Sequence, residues 1–242
     1  MSNIIKFISN RPWLNEQSIS KPVPTVKEIP TWFREADRFA INPMTKDYWL
    51  DGSGSKVPTW KACPAIFDML STGYVLRTPC DITFSLKNSK ISIEIKEQQF
   101  KDFCSERPPM PQFVHPQGYY EDHFAWFPDW AVALPEGYSA LYTHPLNRFD
   151  LPFLMTSGIV DNDKINLPGT MPFFIIKGFE GLIPAGTPYV QIFPFKREDW
   201  KSEYVIEDPE IIPKKNQDNS DKYRIKDGGF YKNNIWSKRN YE

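Results

Sequence analysis

Proline spacing sets the strongest limit on how this chain can fold. Proline accounts for 23 of the 242 residues, nearly twice the usual ~5%. A proline ring cannot continue a helix interior or donate to a central strand ladder. The chain is therefore cut into short strands joined by ordered turns. The clearest such run covers residues 135–197, PEGYSALYTHPLNRFDLPFLMTSGIVDNDKINLPGTMPFFIIKGFEGLIPAGTPYVQIFPFKR. Short apolar segments alternate there with Pro and Gly, the pattern of a sandwich or barrel. Aromatic residues make up 15% of the chain and apolar residues 40%, enough for a dense core and too rich for disorder.

All-β units often reach this length as one domain. The expected organisation is a lead-in with a short helix over 1–50, a β domain over 51–200 and a polar arm over 201–242. The expected fold class is mainly β, a single jelly-roll-like barrel with a few short helices and extended termini. Net charge is −1, so no bulk field recruits nucleic acid or an anionic membrane. Cys63, Cys80 and Cys104 are odd in number and lack CxxC spacing, which argues against a disulfide framework or a zinc knuckle. The start, MSNIIKFISNRPW, has no long apolar run of the signal-peptide kind. No stretch has the apolar length of a membrane span. These features point to a reducing, aqueous compartment.

Local patterns place several elements. Pro30-Thr31 opens an amphipathic helix in TWFREADRF, with Trp32, Phe33 and Phe39 as anchors. KACPAIFDMLSTGY reads as a second short helix, with Pro64 in its first turn and Gly73 at its C-terminal cap. Ile66, Met69 and Leu70 fall on its apolar face. In DITFSL and ISIEIK, Ile82, Phe84 and Leu86, then Ile91, Ile93 and Ile95, alternate with polar residues around a turn at Asn88-Ser89-Lys90, a β-hairpin. DGSGSK (residues 51–56) lacks GxxxxGK[ST] spacing and reads as a surface linker. The tail aromatics Tyr223, Phe230, Tyr231, Trp236 and Tyr241 suggest docking. The eight tryptophans read mainly as core or lid residues.

Candidate chemistry is sparse. Asp161 and Asp163 stand in SGIVDND, just past an apolar strand. A carboxylate there could act as a general base or hold a divalent ion. Equally, Asp and Asn there could simply form the turn. Asn147 and Arg148, in THPLNRFDLP, lie between two strands. Arg148 could clamp an anion or pair with Asp150 at the surface, and Asn147 could favour a turn. His115, Asp122, His123 and His144 show no HxD or HExxH spacing and read as loop residues, so no metal site is assigned. Arg77, Lys196, Arg197, Lys214 and Lys215 interleave with acids and read as a solvated face. Ser157 lacks a GxSxG elbow.

Residues 135–195 resemble trimeric dUTPases and dCTP deaminases, the β-clip superfamily. The matching phrases are PEGY, NRF, Gly158-Ile159-Val160-Asp161-Asn162-Asp163 and Ile183-Pro184-Ala185-Gly186-Thr187-Pro188-Tyr189-Val190-Gln191-Ile192-Phe193. The resemblance implies that Asp161 orients or activates a water, with Arg148, Asn147, Asp163 and Gln191 around the ligand. Gly228-Gly229-Phe230 is similar to that family's glycine-rich arm. Phe149 follows Arg148 where the family has Ser, and Lys164 stands where it has Tyr. TPCDITF, HPLNRF, SGIVDND, GTPYVQIFPFKRxxW and IPTWFREADR also resemble an uncharacterised tailed-phage family with bacterial relatives.

Two functions follow as expectations. The first is a phage-related, non-catalytic interaction module without cofactor. It docks on protein subunits, including further copies of itself, in the infected cell's cytoplasm or in the virion. The alternative is a dUTPase-like nucleotide pyrophosphohydrolase, with Mg²⁺ on the phosphates, Asp161 activating water and Arg148 clamping charge.

Overall fold

The computed structural model describes residues 3–15, 18–87, 90–215 and 231–242, and its strands follow the proline and glycine punctuation. The chain divides into two units. The larger comprises Met1–Glu28, Thr72–Arg197 and Tyr241–Glu242, and the smaller comprises Ile29–Ser71 and Glu198–Asn240.

Among the described residues, fourteen strands lie in the larger unit. They are β1 (Lys6–Ile8), β2 (Val23–Pro24), β3 (Tyr74–Arg77), β4 (Ile82–Lys87), β5 (Lys90–Glu94), β6 (Cys104–Glu106), β7 (Tyr119–Trp126), β8 (Ala131–Ala133), β9 (Tyr138–Thr143), β10 (Phe153–Met155), β11 (Gly158–Val160), β12 (Met171–Ile176), β13 (Gly181–Ile183) and β14 (Pro188–Lys196). All pairings are antiparallel. They build sheets in the orders β11-β9-β14-β3-β2, β10-β12-β7-β6, β13-β4-β5 and β1-β8. The mainly β class is as expected. None of these sheets closes on itself, so no closed barrel is found among the described residues. Closure needs one ladder staggered continuously around the ring, and three-residue strands such as β10, between Pro152 and Thr156, end their ladders too soon.

The hairpin forms as its alternation dictates. β4 pairs with β5 from Thr83↔Glu94 to Lys87↔Lys90. Lys90 thus begins β5 rather than completing the turn, and Asn88 and Ser89 lie outside the described residues. Ile82 and Phe84 are buried, but Leu86, near the hairpin tip, is exposed. The same period of two sends Met171, Phe173 and Ile175 of β12 inward. There Trp126 and Phe173 stack face to face, 3.9 Å apart and 4° from parallel. Phe84, Phe124, Phe153 and Tyr189 are buried in the same cluster. Such rings contribute area plus ~0.5–1.5 kcal/mol per well-placed pair. The tryptophans differ in burial. Trp126 is fully buried, whereas Trp49, Trp60 and Trp200 are exposed, because their segments lie outside this cluster.

The lead-in up to Glu28 is woven into the larger unit, and the rest of it belongs to the smaller. β1 pairs with β8, β2 pairs with β3, and Arg11 forms an ion pair with Asp129 at 3.1 Å.

In the smaller unit, α1 spans Thr31–Glu35 and α2 spans Pro64–Ser71. α1 is shorter than expected. Ala36 turns extended, and Phe39 enters a bridge with Pro58 instead of a helical turn. In α2, Leu70 is buried, but Met69 faces solvent and Asp68 is buried, a correction to the expected apolar face. Gly73, two residues beyond α2, has φ +78°, the left-handed conformation that glycine adopts without strain. DGSGSK closes on itself: Asp51 Oδ1 accepts from Ser53 N at 2.8 Å and Ser55 N at 3.0 Å. No described helix is long and apolar enough to cross a membrane. Tyr223, Phe230 and the Gly228-Gly229-Phe230 phrase lie outside the described residues.

Candidate functional site

The SGIVDND carboxylates sit where β11 hands over to a turn, and Asn162 fixes that turn. Its side chain is buried. It accepts from Tyr142 Oη at 2.9 Å and donates to the carbonyls of Val132 and Ile165 at 3.2 Å each. With Asn162 anchored inward, its neighbours Asp161 and Asp163 meet a common cation, Arg197. Asp163 takes both Arg197 Nη1, at 2.9 Å, and Nη2, and also accepts from Gly137 N at 2.9 Å. Asp161 Oδ1 accepts from Ser139 Oγ at 2.6 Å and lies 3.4 Å from Arg197 Nη1, while Lys164 Nζ approaches Oδ2 at 3.5 Å. Arg197 also donates to Tyr138 O and Ser139 Oγ, at 3.0 Å each.

Electrostatics follow from these contacts. The Arg197 hydrogen bonds, then the Gly137 N–H, hold the Asp163 carboxyl well below the usual carboxylate range. The Ser139 hydroxyl, then Arg197 and Lys164, lower Asp161 as well. Side-chain exposure separates the two, 4% for Asp163 and 43% for Asp161. Asp163 is a tie between strands. Asp161 is reachable, but a lowered pKa makes it a weak proton acceptor, since general bases work best near ambient pH. Arg197 is thus no solvated face, as its sequence neighbours suggested.

Gln191, Asn147 and Arg148 converge at a different place. Gln191 is 1% exposed. Its Oε1 accepts from Leu146 N and its Nε2 donates to Thr72 O, both at 2.8 Å. That clamp holds residues 145–150, within which Asn147 adopts φ +58°, a region Asn tolerates better than most residues. Arg148 forks onto Asp150, Nε to Oδ1 at 2.9 Å and Nη2 to Oδ2 at 2.8 Å, and its Nη1 reaches Glu28 O at 3.5 Å. The pairing with Asp150 considered from sequence is the one observed, though Arg148 is mostly buried rather than at the surface.

Strand register keeps the two clusters apart. β9 pairs with β14 from Lys196↔Tyr138 to Gln191↔Thr143. Five residues of strand correspond to about 17 Å. Asp161, Asp163 and Arg197 gather at one end of that ladder, and Gln191, Asn147 and Arg148 at the other.

The histidines do not assemble either. His123 lies against Phe174 and His144 against Phe153. Burial lowers both rings' pKa first; the Arg107 charge adds to this at His123, whereas the hydrogen bond to the Arg148 carbonyl opposes it at His144. His115 faces Glu121 at 4.0 Å. Among the described residues no three His, Cys, Asp or Glu side chains gather as a metal site would require.

Sequence reasoning found the two carboxylates but missed Ser139, Gly137 and the role of Arg197. β9 brings these together by pairing on one side with β11, which sets Asp161 beside Ser139, and on the other with β14, which delivers Arg197 from 58 positions beyond Ser139. Compared with known proteins, the chain matches no family model, no curated protein and no solved structure.

Proposed function

We propose that the protein is a phage-related, non-catalytic β module of β-clip kinship that assembles through copies of its own chain. One observation carries this reading: β11 is an edge strand whose three residues all face solvent, with Ile159 64% exposed. An apolar edge with unpaired backbone groups is a template for strand addition. Ile165 and Leu167, just beyond it, are also exposed. The ion pairs that occupy Asp161 and Asp163 fit a structural use of the same loop. On this reading the protein works in the cytoplasm of an infected cell or in the virion.

Light scattering on the full chain tests it. The wild type should form a defined oligomer, and Ile159→Lys should return it to monomers with an unchanged circular dichroism spectrum. A wild-type protein that stays monomeric at all accessible concentrations would remove the reading.

A second reading, nucleotide pyrophosphate hydrolysis, draws on the accessibility of Asp161 alone. It predicts pyrophosphate release from dUTP or another nucleotide with Mg²⁺ or Mn²⁺, lost in Asp161→Asn. No release above background across a nucleotide panel eliminates it.

A further inference from the structure

The smaller unit holds a hollow of about 520 Å³, lined from both of its chain segments. Small-molecule sites occupy roughly 300–1,000 Å³. Its floor is aromatic: Phe67 and Trp236 are half-buried and offer ring surface, with Phe33 buried beneath them. Phe33 and Phe67 stand 6.4 Å apart, and Trp236 meets Phe67 edge-on at 6.1 Å. The Trp236 ring is fixed from behind, because Nε1 donates to both oxygens of Asp68 at 3.1 and 3.0 Å. Asp68 also receives Arg239 at 2.7 Å, so its charge is matched locally.

The rim is cationic. Arg34, Arg38, Lys61, Lys232 and Lys238 line the hollow, and among the described residues no carboxylate side chain does. This imbalance occurs in a chain with 29 basic and 30 acidic residues. Like charges around a concave wall repel one another and raise a positive potential that attracts anions. Lys61 is the best-defined of the five. Its Nζ donates to Phe33 O at 2.7 Å and Arg34 O at 2.8 Å, and stands 5.0 Å over the Phe33 ring. An ammonium has three donors, so one N–H is left for a ligand.

We propose that this hollow binds a phosphorylated planar-ring compound, a nucleoside phosphate taken either free or as the phosphorylated end of a nucleic-acid strand. Aromatic side chains stack planar rings with little preference among bases, and Lys and Arg hold phosphate oxygens through charge-assisted hydrogen bonds. A simple anion would answer the rim and leave the floor uncovered. An acidic peptide would do the same. This site is separate from the assembly surface and does not depend on it.

Cys63 lines the hollow and is half-buried, whereas Cys80 and Cys104 are buried. Alkylation of Cys63 in the full chain therefore reports occupancy. AMP and ATP should slow it, by about tenfold when nucleotide stands at ten times its Kd. Adenosine and pyrophosphate separately should bind far more weakly. Lys61→Met and Lys238→Gln should each weaken ATP binding measurably, the former by about tenfold or more, and added salt should weaken it further. Lys238 is exposed, so that variant reads binding without disturbing the fold. A 5′-phosphorylated oligonucleotide that binds more tightly than AMP identifies a strand end as the source, and the reverse identifies free nucleotide. Either supports the site. Failure of AMP and ATP to protect Cys63, equal protection by pyrophosphate alone, or protection by polyglutamate but not nucleotide each overturns the proposal.

Discussion

Replacing Gln191 should loosen the 145–150 loop by an amount that the contacts set. Gln191→Met keeps the side-chain length and near-equal volume, so no large cavity opens. It removes the acceptor for Leu146 N and the donor for Thr72 O. Thr72 is buried, and its orphaned carbonyl costs ~1–3 kcal/mol, while the half-buried Leu146 N–H can recover part of its loss from water. The expected destabilisation is about 2–4 kcal/mol, a large share of a typical stability of ~5–15 kcal/mol. Gln191→Glu sharpens the test. Its carboxylate can still accept from Leu146 N but opposes the Thr72 carbonyl, whereas the protonated acid can donate to it. Its folded pKa should therefore rise above the ~4.3 of an unfolded Glu. For a carboxyl raised in the folded state, stability is retained below about pH 4 and lost as pH climbs from there through the folded pKa. Guanidinium unfolding followed by circular dichroism, at pH 3.5 and pH 7, measures both variants. A Gln191→Met protein as stable as wild type, or a Gln191→Glu protein without that pH dependence, refutes the clamp.

Gly73→Ala should be severely destabilising, by more than about 3 kcal/mol, because a Cβ would lie 2.1 Å from the Ile192 carbonyl oxygen at a φ of +78°. Thermal melting checks it. Asp163→Asn should lower stability at neutral pH by breaking the Arg197 fork. Because the folded carboxyl is held below its ordinary value, that stability is present above the unfolded pKa of ~3.9 and lost as pH falls through the folded value, so the gap from wild type should narrow below about pH 4. Under native conditions a thiol reagent should modify Cys63 alone, and in denaturant all three cysteines, as counted by mass spectrometry. Burial pushes the Cys80 thiol up to about 12 and Cys104 well up as well, and the thiolate is the reactive form.

Legibility in the sequence followed the range of the interaction. The β4–β5 hairpin and α2 are set by neighbours within a few residues, and alternation, Pro64 and Gly73 announce them. α1 was over-read past Glu35 because TWFREADRF carries helical spacing throughout. The Phe39–Pro58 bridge and the Ala40 N–H to Val57 O bond at 2.9 Å draw those residues into extended pairing instead. Asp161 and Asp163 stood out by their strand-end position. Arg197 did not, because its own neighbours are charged and only β9, paired with both β14 and β11, delivers it to the carboxylates. The aromatic, cationic hollow has no local signature, since Lys61 and Trp236 lie far apart in the chain.

The order of the two units along the chain bears on how the protein is made. The smaller unit is assembled from Ile29–Ser71 and Glu198–Asn240, with Thr72–Arg197 of the larger unit between them. At ~5–20 residues per second, a ribosome needs on the order of ten seconds to pass that interval. α2 waits through this time without Trp236 and Arg239, the partners of Asp68. Phe33 and Phe67 are then without their third ring, and a nascent chain has the cations Arg34, Arg38 and Lys61 beside open aromatic surface. Any factor that shields the growing polypeptide would meet that half-built wall, and the strands of the larger unit can be complete before the wall is.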